Sequence, residues 1–272
     1  MPVIDADYAW RLIRDAREQP TDAPWHPCEG LVIQPGGAWL AEIAVDDEAA
    51  DLFDMLLPIA FSAPRLVVAQ LGQSLDGRIA TASGHSYYVT GEASRIHLHR
   101  LRALVDAVVV GAGTVAADDP QLTVRHVDGT QPKRVVLDPN ARVPADCGLF
   151  SDSGPETLHG VREAGRAAPG ATPLVLPDVS AAALPSTLLA LLAERGLQRV
   201  LIEGGGVTIS HFINANRVDR LHTVVAPMLI GSGRPGLLLD EIETLDQARR
   251  PKTRSFVLGD DRLYDLELNP RA

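Results

Sequence analysis

The sequence predicts an α/β fold: a mainly parallel central sheet flanked by helices, with an antiparallel C-terminal hairpin and a small α+β N-terminal extension. Three observations carry that expectation. From Arg65 onward, short β-branched runs alternate with helical patterns, at Leu66 to Gln70, Ala107 to Val110, Arg134 to Leu137, Leu174 to Leu176, Val200 to Ile202 and Thr223 to Ala226. Glycine-rich turns follow two of those runs, at Gly111 and at Gly204. Near the C-terminus, Ser255 to Leu258 and Leu263 to Leu268 flank Gly259-Asp260-Asp261, the pattern of a hairpin.

Taken in order, Tyr8, Leu12, Ile13 and Ala16 form a helical stripe with an acidic start at Asp5 and Asp7. A polar, Pro-containing break follows. Leu31 to Gln34 and Trp39 to Val45 flank Pro35-Gly36-Gly37 as a hairpin, and Asp47 to Ala60 reads as a helix. Pro64 opens the alternating region, so the expected domains are 1–62 and 63–272. Within the second, Thr90 to Val105 is helical with Thr90 as N-cap, and Ser186 to Arg195 is a helix closed by Gly196.

The chain has 272 residues, 46% of them hydrophobic, which is enough for a full core. Its formal charge of −10 argues against a general nucleic-acid or anionic-membrane surface, because phosphate backbones are bound by clustered Lys and Arg. Cys28 and Cys147 lack CxxC spacing and read as free thiols. His97 and His99, two apart on a helix, point to different faces, and the zinc nucleobase-deaminase signature is missing, so no metal is expected. The N-terminus carries no leader pattern and no apolar run approaches ~18 residues. These features predict a cytoplasmic protein with neither nucleic-acid nor membrane partners.

The triplet Gly204-Gly205-Gly206 follows Glu203 at a strand's carboxyl end, where open α/β sheets bind ligands. Its N–H groups could face an anion, or the glycines could only serve a turn with positive φ; both readings stand. The run Gly111-Ala112-Gly113-Thr114-Val115-Ala116 matches the dinucleotide pattern G-x-G-x-x-G/A, and Asp138 ends the next strand as a Rossmann acid would. Context argues otherwise. Asp119-Pro120 stops a helix about one turn beyond Thr114, too early to cross a sheet. The stretch AQLGQSLDGRIATASGHSYYVTGEASR carries Ser74, Arg78, Ser83, Ser86, Tyr87, Tyr88 and Thr90; each alone reads as a solvated or capping residue, and together they read as an active-site loop. Arg102 and Arg125 could clamp a phosphate from two loops, or form surface ion pairs.

Five segments, "SLDGRIATASG", "YYVTGEASR", "LRALVDAVVVGAGTVAADDPQLTVR", "KRVVLDPNARVP" and "VLIEGGGVTISHFINANRVDRLHTVVAPMLIG", occur in family order and resemble the reductase domain of bacterial riboflavin biosynthesis. The resemblance spans about Arg65 to Leu268 and implies a dihydrofolate-reductase-like fold, a homodimer, and NADPH as cofactor. It implies hydride transfer from NADPH to C1′ of the ribosylamino group on a 5-phosphorylated diaminopyrimidinone or aminouracil. Carried over by motif position, Ser86, Arg102, Leu122, Arg125 and Glu203 would contact substrate. Gly72, Tyr88, Gly111, Gly113, Thr114, Asp118, Gly205, Gly206, Val207, Thr208, Ile209, Ser210 and His211 would contact cofactor, with Glu203 and Asp118 the catalytic candidates. Three departures accompany it: Gln70 stands where the family has a basic residue, Tyr88 where tryptophan is common, and Arg220 where an acid is usual. Residues 1–62 do not resemble the deaminase domain that often precedes this reductase. The competing readings are a same-fold reductase for a pterin or another pathway's substrate, a nucleotide-binding module without catalysis, and a Rossmann dehydrogenase.

Overall fold

The structure is a computed structural model describing residues 3–151 and 153–269. It forms two compact units, one ending at Leu66 and the other beginning at Val67. In the first, helix α1 (Ala6–Arg17) starts at Asp5, whose carboxylate accepts the Tyr8 N–H at 2.8 Å. Its Ala9, Leu12, Ile13 and Ala16 are buried, as the periodicity requires. Strands β1 (Trp25–Cys28), β2 (Leu31–Ile33) and β3 (Trp39–Ala41) form a small antiparallel sheet. The sequence reads β1 as a break; Pro27 is tolerated because this strand lies at the edge. Helix α2 (Asp47–Ala60) starts at Asp46, which accepts the Ala49 N–H at 2.7 Å. The hairpin turn packs on it through Gly37, at φ +87°, where a Cβ would sit 2.4 Å from Pro58 N.

The second unit is built on a nine-stranded sheet. Its first half comprises β4 (Leu66–Ser74), β5 (Arg78–Ala80), α3 (Glu92–Ala103), β6 (Ala107–Gly111), α4 (Ala112–Asp118), β7 (Lys133–Leu137), α5 (Gly148–Ser151) and β8 (Thr157–Val161). There follow β9 (Thr172–Val175), α6 (Leu184–Ala193), β10 (Arg199–Glu203), α7 (Gly206–Asn214), β11 (Arg220–Ala226), β12 (Arg234–Pro235), β13 (Lys252–Leu258) and β14 (Asp261–Glu267). The order is β13-β14-β11-β4-β10-β6-β7-β8-β9. Pairing is parallel from β10 to β9 and between β11 and β4, and antiparallel from β11 through β14 to β13. The α/β class, the mainly parallel sheet and the C-terminal hairpin are as expected.

Three local expectations change. Strand β8 goes unread because His159 and Gly160 interrupt its β signal, yet all five of its residues are buried between β7 and β9. Strand β4 continues past Gln70 to Ser74, and β5 pairs with β12, so the supposed loop begins as ordered sheet. Gly91, not Thr90, is the N-cap of α3: its N–H donates to Asp261 Oδ2 at 2.7 Å, while Thr90 lies against Gly72.

The two faces of the sheet differ. Ala69, Leu71, Val109 and Ile202 join Leu188, Leu192, Ile209 and Phe212 of α6 and α7 in an apolar core. Toward α3 the buried groups include a polar network. Arg220 donates to both oxygens of Asp265, at 2.9 and 2.8 Å, and Arg254 adds a contact at 3.1 Å. His222 Nε2 stands 3.3 Å from Asp265 Oδ1, and its Nδ1 meets His97 Nε2 of α3 at 2.9 Å. Burial alone would raise the Asp265 pKa, but His222 and Arg220 outweigh it and hold the carboxyl well below its usual range. Arg220, a departure from the resembled family, thus completes this charge cluster. The stabilisation is present above the unfolded carboxylate value of ~3.9 and is lost only as pH falls through the depressed folded value. Asp265→Asn leaves buried guanidinium charge short of its partner, so urea unfolding at neutral pH is expected to report a loss of about 3–5 kcal/mol.

Candidate active site

The site forms where parallel strands β10 and β6 end side by side and each runs directly into a helix. Gly204, at φ +98°, makes the turn from Glu203 into α7. The two turns interlock. Gly205 N–H donates to Thr114 Oγ1 at 2.9 Å, and a Cβ on Gly111 would fall 2.2 Å from Thr208 Oγ1. Neither helix has a side-chain cap on its N-terminal N–H groups. The first turn of α7 therefore presents backbone donors and the positive end of a helix dipole at the sheet's carboxyl edge.

Helix α4 ends at Asp118, with Asp119 at φ +38° as its cap, so the Asp119-Pro120 stop acts where the sequence places it. Asp138 does not face a ligand. It is fully buried, accepts the Val143 N–H at 2.8 Å and lies 3.4 Å from His159 Nε2. That removes the acid a Rossmann reading needs.

The chemistry concentrates on Glu203. Its two oxygens accept from Arg102 Nε and Nη2, each at 2.7 Å, while Arg102 Nη1 donates to the Thr123 carbonyl at 3.0 Å. Both side chains are buried. This corrects the expected phosphate clamp: Arg102 is not a free cation beside Arg125 but the bidentate partner of Glu203. Arg125 is exposed, its Nη1 bonded to Gln121 Oε1 at 2.9 Å and Thr123 Oγ1 at 3.3 Å. Its backbone N–H donates to His99 Nδ1 at 3.1 Å, a contact that no local pattern indicates.

Other candidates are placed as follows. Ser86 donates to Asp118 Oδ1 at 3.3 Å, both on the surface, which joins the predicted loop to the end of α4. Leu122 is buried with φ +53°, so its side chain belongs to the interior. Within Gly205 to His211, only part faces outward: Val207 and His211 are exposed, Ile209 lies in the core, and Ser210 Oγ accepts the Leu238 N–H at 2.8 Å. Gly206 is held under the 235–236 backbone, a Cβ there falling 1.8 Å from Gly236 O, and the Gly205 N–H is already taken by Thr114. Gly113 is exposed on α4. Tyr88 packs on Tyr87 in a tilted arrangement with ring centroids 4.1 Å apart and has the Arg95 guanidinium 4.2 Å from its ring, while remaining exposed. Gly72 lies on β4 under Thr90. The sequence flagged Gly111 and Gly205 as ligand glycines; it carried no signal that Thr208 and Thr114 would occupy them.

Burial pushes the His99 pKa down to about 3, helped by the nearby charges of Arg102, His126 and Arg125. Burial and His222 likewise push His97 well below its ordinary value. Both stay neutral in the folded chain at pH values where the unfolded imidazole, at ~6.5, binds a proton. The unfolded state then holds more protons, so stability is full above ~6.5 and falls as pH drops toward about 3. Denaturant titrations at stepped pH are expected to show that decline, and His99→Gln should flatten it.

Residues 65–259 match the family model for the RibD C-terminal domain. Among the relatives is the 2,5-diamino-6-ribosylamino-4(3H)-pyrimidinone 5′-phosphate reductase of Methanothermobacter thermautotrophicus. It is 36% identical over 210 residues, covering 73% of this chain and 96% of that protein. The riboflavin biosynthesis protein RibD of Bacillus amyloliquefaciens is 34% identical over 215 residues, covering 74% of this chain. This chain spans only 58% of the Bacillus protein. Among solved structures, Acinetobacter baumannii RibD aligns with a TM-score of 0.66 at 31% identity, covering 84% of this chain and 66% of that one. With a family match running from β4 to the turn after β13, and a relative matched over almost its whole length, the chain belongs to the RibD C-terminal domain family.

Proposed function

We propose that this chain is an NADPH-dependent reductase that converts the ribosylamino group of a 5-phosphorylated ribosylaminopyrimidine into a ribitylamino group. The observation that carries the reading is the match to the Methanothermobacter reductase over 96% of that protein, together with the Arg102–Glu203 pair at the carboxyl edge of β10. A nicotinamide cofactor fits the residues present. The uncapped first turn of α7 offers N–H donors and a positive dipole end to a diphosphate, and the Gly205 turn is pinned beside it by Thr114. When bound, NADPH supplies the hydride.

The chain's own groups do the positioning. Arg102 uses one lone-pair direction on each Glu203 oxygen, which leaves each oxygen an acceptor site. Glu203 can thus accept a hydrogen bond from the substrate's amino nitrogen or a sugar hydroxyl, in an orientation the guanidinium fixes. Arg125, exposed and with donors beyond its two side-chain contacts, suits the 5-phosphate.

The test follows cofactor oxidation with NADPH and with NADH, on the ribosylaminopyrimidine phosphate and on dihydropterin. NADPH oxidation with the pyrimidine alone is expected; turnover only on the pterin, or cofactor binding without turnover, overturns the reading. Glu203→Gln is expected to lower turnover on the order of 100-fold while NADPH binding stays near wild type. Equal losses in both measurements remove Glu203 from the chemistry. Arg125→Ala is expected to raise the substrate KM roughly 10- to 100-fold, the range of a charge-assisted hydrogen bond, with cofactor affinity retained.

A further inference from the structure

The first two glycines of the triplet Gly204-Gly205-Gly206 are accounted for by the turn into α7 and by the bond to Thr114. The third has a different reason. A Cβ on Gly206 would fall 1.8 Å from the Gly236 carbonyl oxygen, so the first turn of α7 is shaped against the segment 228–238. That segment also reaches Ser210, further along α7, where the Leu238 N–H donates to the hydroxyl at 2.8 Å.

What holds 228–238 there is polar. All of its residues but Gly236 are half-buried or exposed, so burial contributes little to its docking. Instead it is bonded to the turn between β4 and β5. The Leu75 N–H donates to the Met228 carbonyl and the Gly236 N–H to the Gly77 carbonyl, each at 2.9 Å. Arg78 Nε donates to the Gly231 carbonyl at 3.0 Å, and β5 pairs with β12. The carboxylate of Asp76 joins the two sides. Its Oδ1 accepts the Ile230 N–H at 3.1 Å and its Oδ2 the Gly231 N–H at 2.7 Å, while the Ser74 hydroxyl donates to the same Oδ1. The Ser74 hydroxyl and these two N–H groups hold its pKa down to about 2, so it is a charged acceptor at neutral pH.

We propose that Asp76 is a positioning residue for the nicotinamide cofactor: it docks 228–238 so that Gly236 braces the first turn of α7, the turn assigned above to the cofactor diphosphate. This deepens the function proposed above and rests on its cofactor assignment. Asp76 acts through the 230–236 backbone, its own oxygens being spent on that segment. A carboxylate suits the task because its two oxygens accept two consecutive N–H groups, and charge-assisted bonds are the stronger kind. Without it those N–H groups turn to water and the brace on Gly206 is free to move.

The test compares wild type with Asp76→Asn, which keeps one acceptor oxygen, and Asp76→Ala, which keeps none. Fluorescence titration is expected to give an NADPH Kd raised on the order of 10-fold in Asp76→Ala and by less in Asp76→Asn. The pyrimidine KM, measured at saturating NADPH, stays within about twofold. The melting temperature falls by no more than about 4 °C, because the apolar core is untouched. An NADPH Kd unchanged in both variants overturns the assignment. A pyrimidine KM that rises in parallel overturns it too, as does a larger fall in melting temperature, since either marks Asp76 as a general structural group. Should Asp76→Ala fail to fold, Asp76→Asn decides on the same measurements. Wild-type protein that binds NADPH without reducing the pyrimidine overturns the function proposed above, while the titrations still decide on Asp76. Wild-type protein that does not bind NADPH overturns both.

Discussion

The buried pair between Arg102 and Glu203 is the constraint around which this unit is arranged. Either charge alone would be expensive at that depth, and a bidentate contact with both bonds at 2.7 Å is the geometry that offsets the cost. The pair couples α3 to the end of β10, and through the Thr123 carbonyl it also holds the segment that carries Arg125. Its contribution is best understood as geometry rather than stability, since two well-packed apolar side chains could hold the same elements together. What they could not supply is a carboxylate in a set orientation at the sheet's carboxyl edge.

Around that pair, the two helix starts are set by close approach. Glycine at 111 admits Thr208, and the Gly205 N–H is received by Thr114, so each β–α turn is positioned by a threonine of the other. The same glycines that look like ligand contacts in the sequence are spent on this mutual packing. The first turn of α7 beside them carries no side-chain cap.

Much of this was legible beforehand. Alternating β-branched and helical runs identified β4, β6, β7, β10 and β11, because apolar residues at strand and helix periods must face a core. Asp119-Pro120 excluded a long helix after Gly111 on backbone grounds alone, and α4 ends there. The site was less legible. Arg102 and Glu203 were both singled out, yet as separate groups, because nothing in a linear pattern indicates that positions 101 apart will share two hydrogen bonds. Gly205 to His211 reads as one continuous motif, while the helical period of α7 buries Ile209 and Ser210 and leaves Val207 and His211 exposed.

The sequence by itself determined the α/β class, the order of most elements, the C-terminal hairpin and the family segments, since these follow from local periodicity and backbone restrictions. Only the tertiary structure decided which polar groups pair: Arg102 with Glu203, Arg220 and His222 with Asp265, the Val143 N–H with Asp138. The reason is physical. Burial removes water as the alternative partner, so each buried donor or charge must find its match among groups brought near by folding, and that proximity is written in no single stretch of chain.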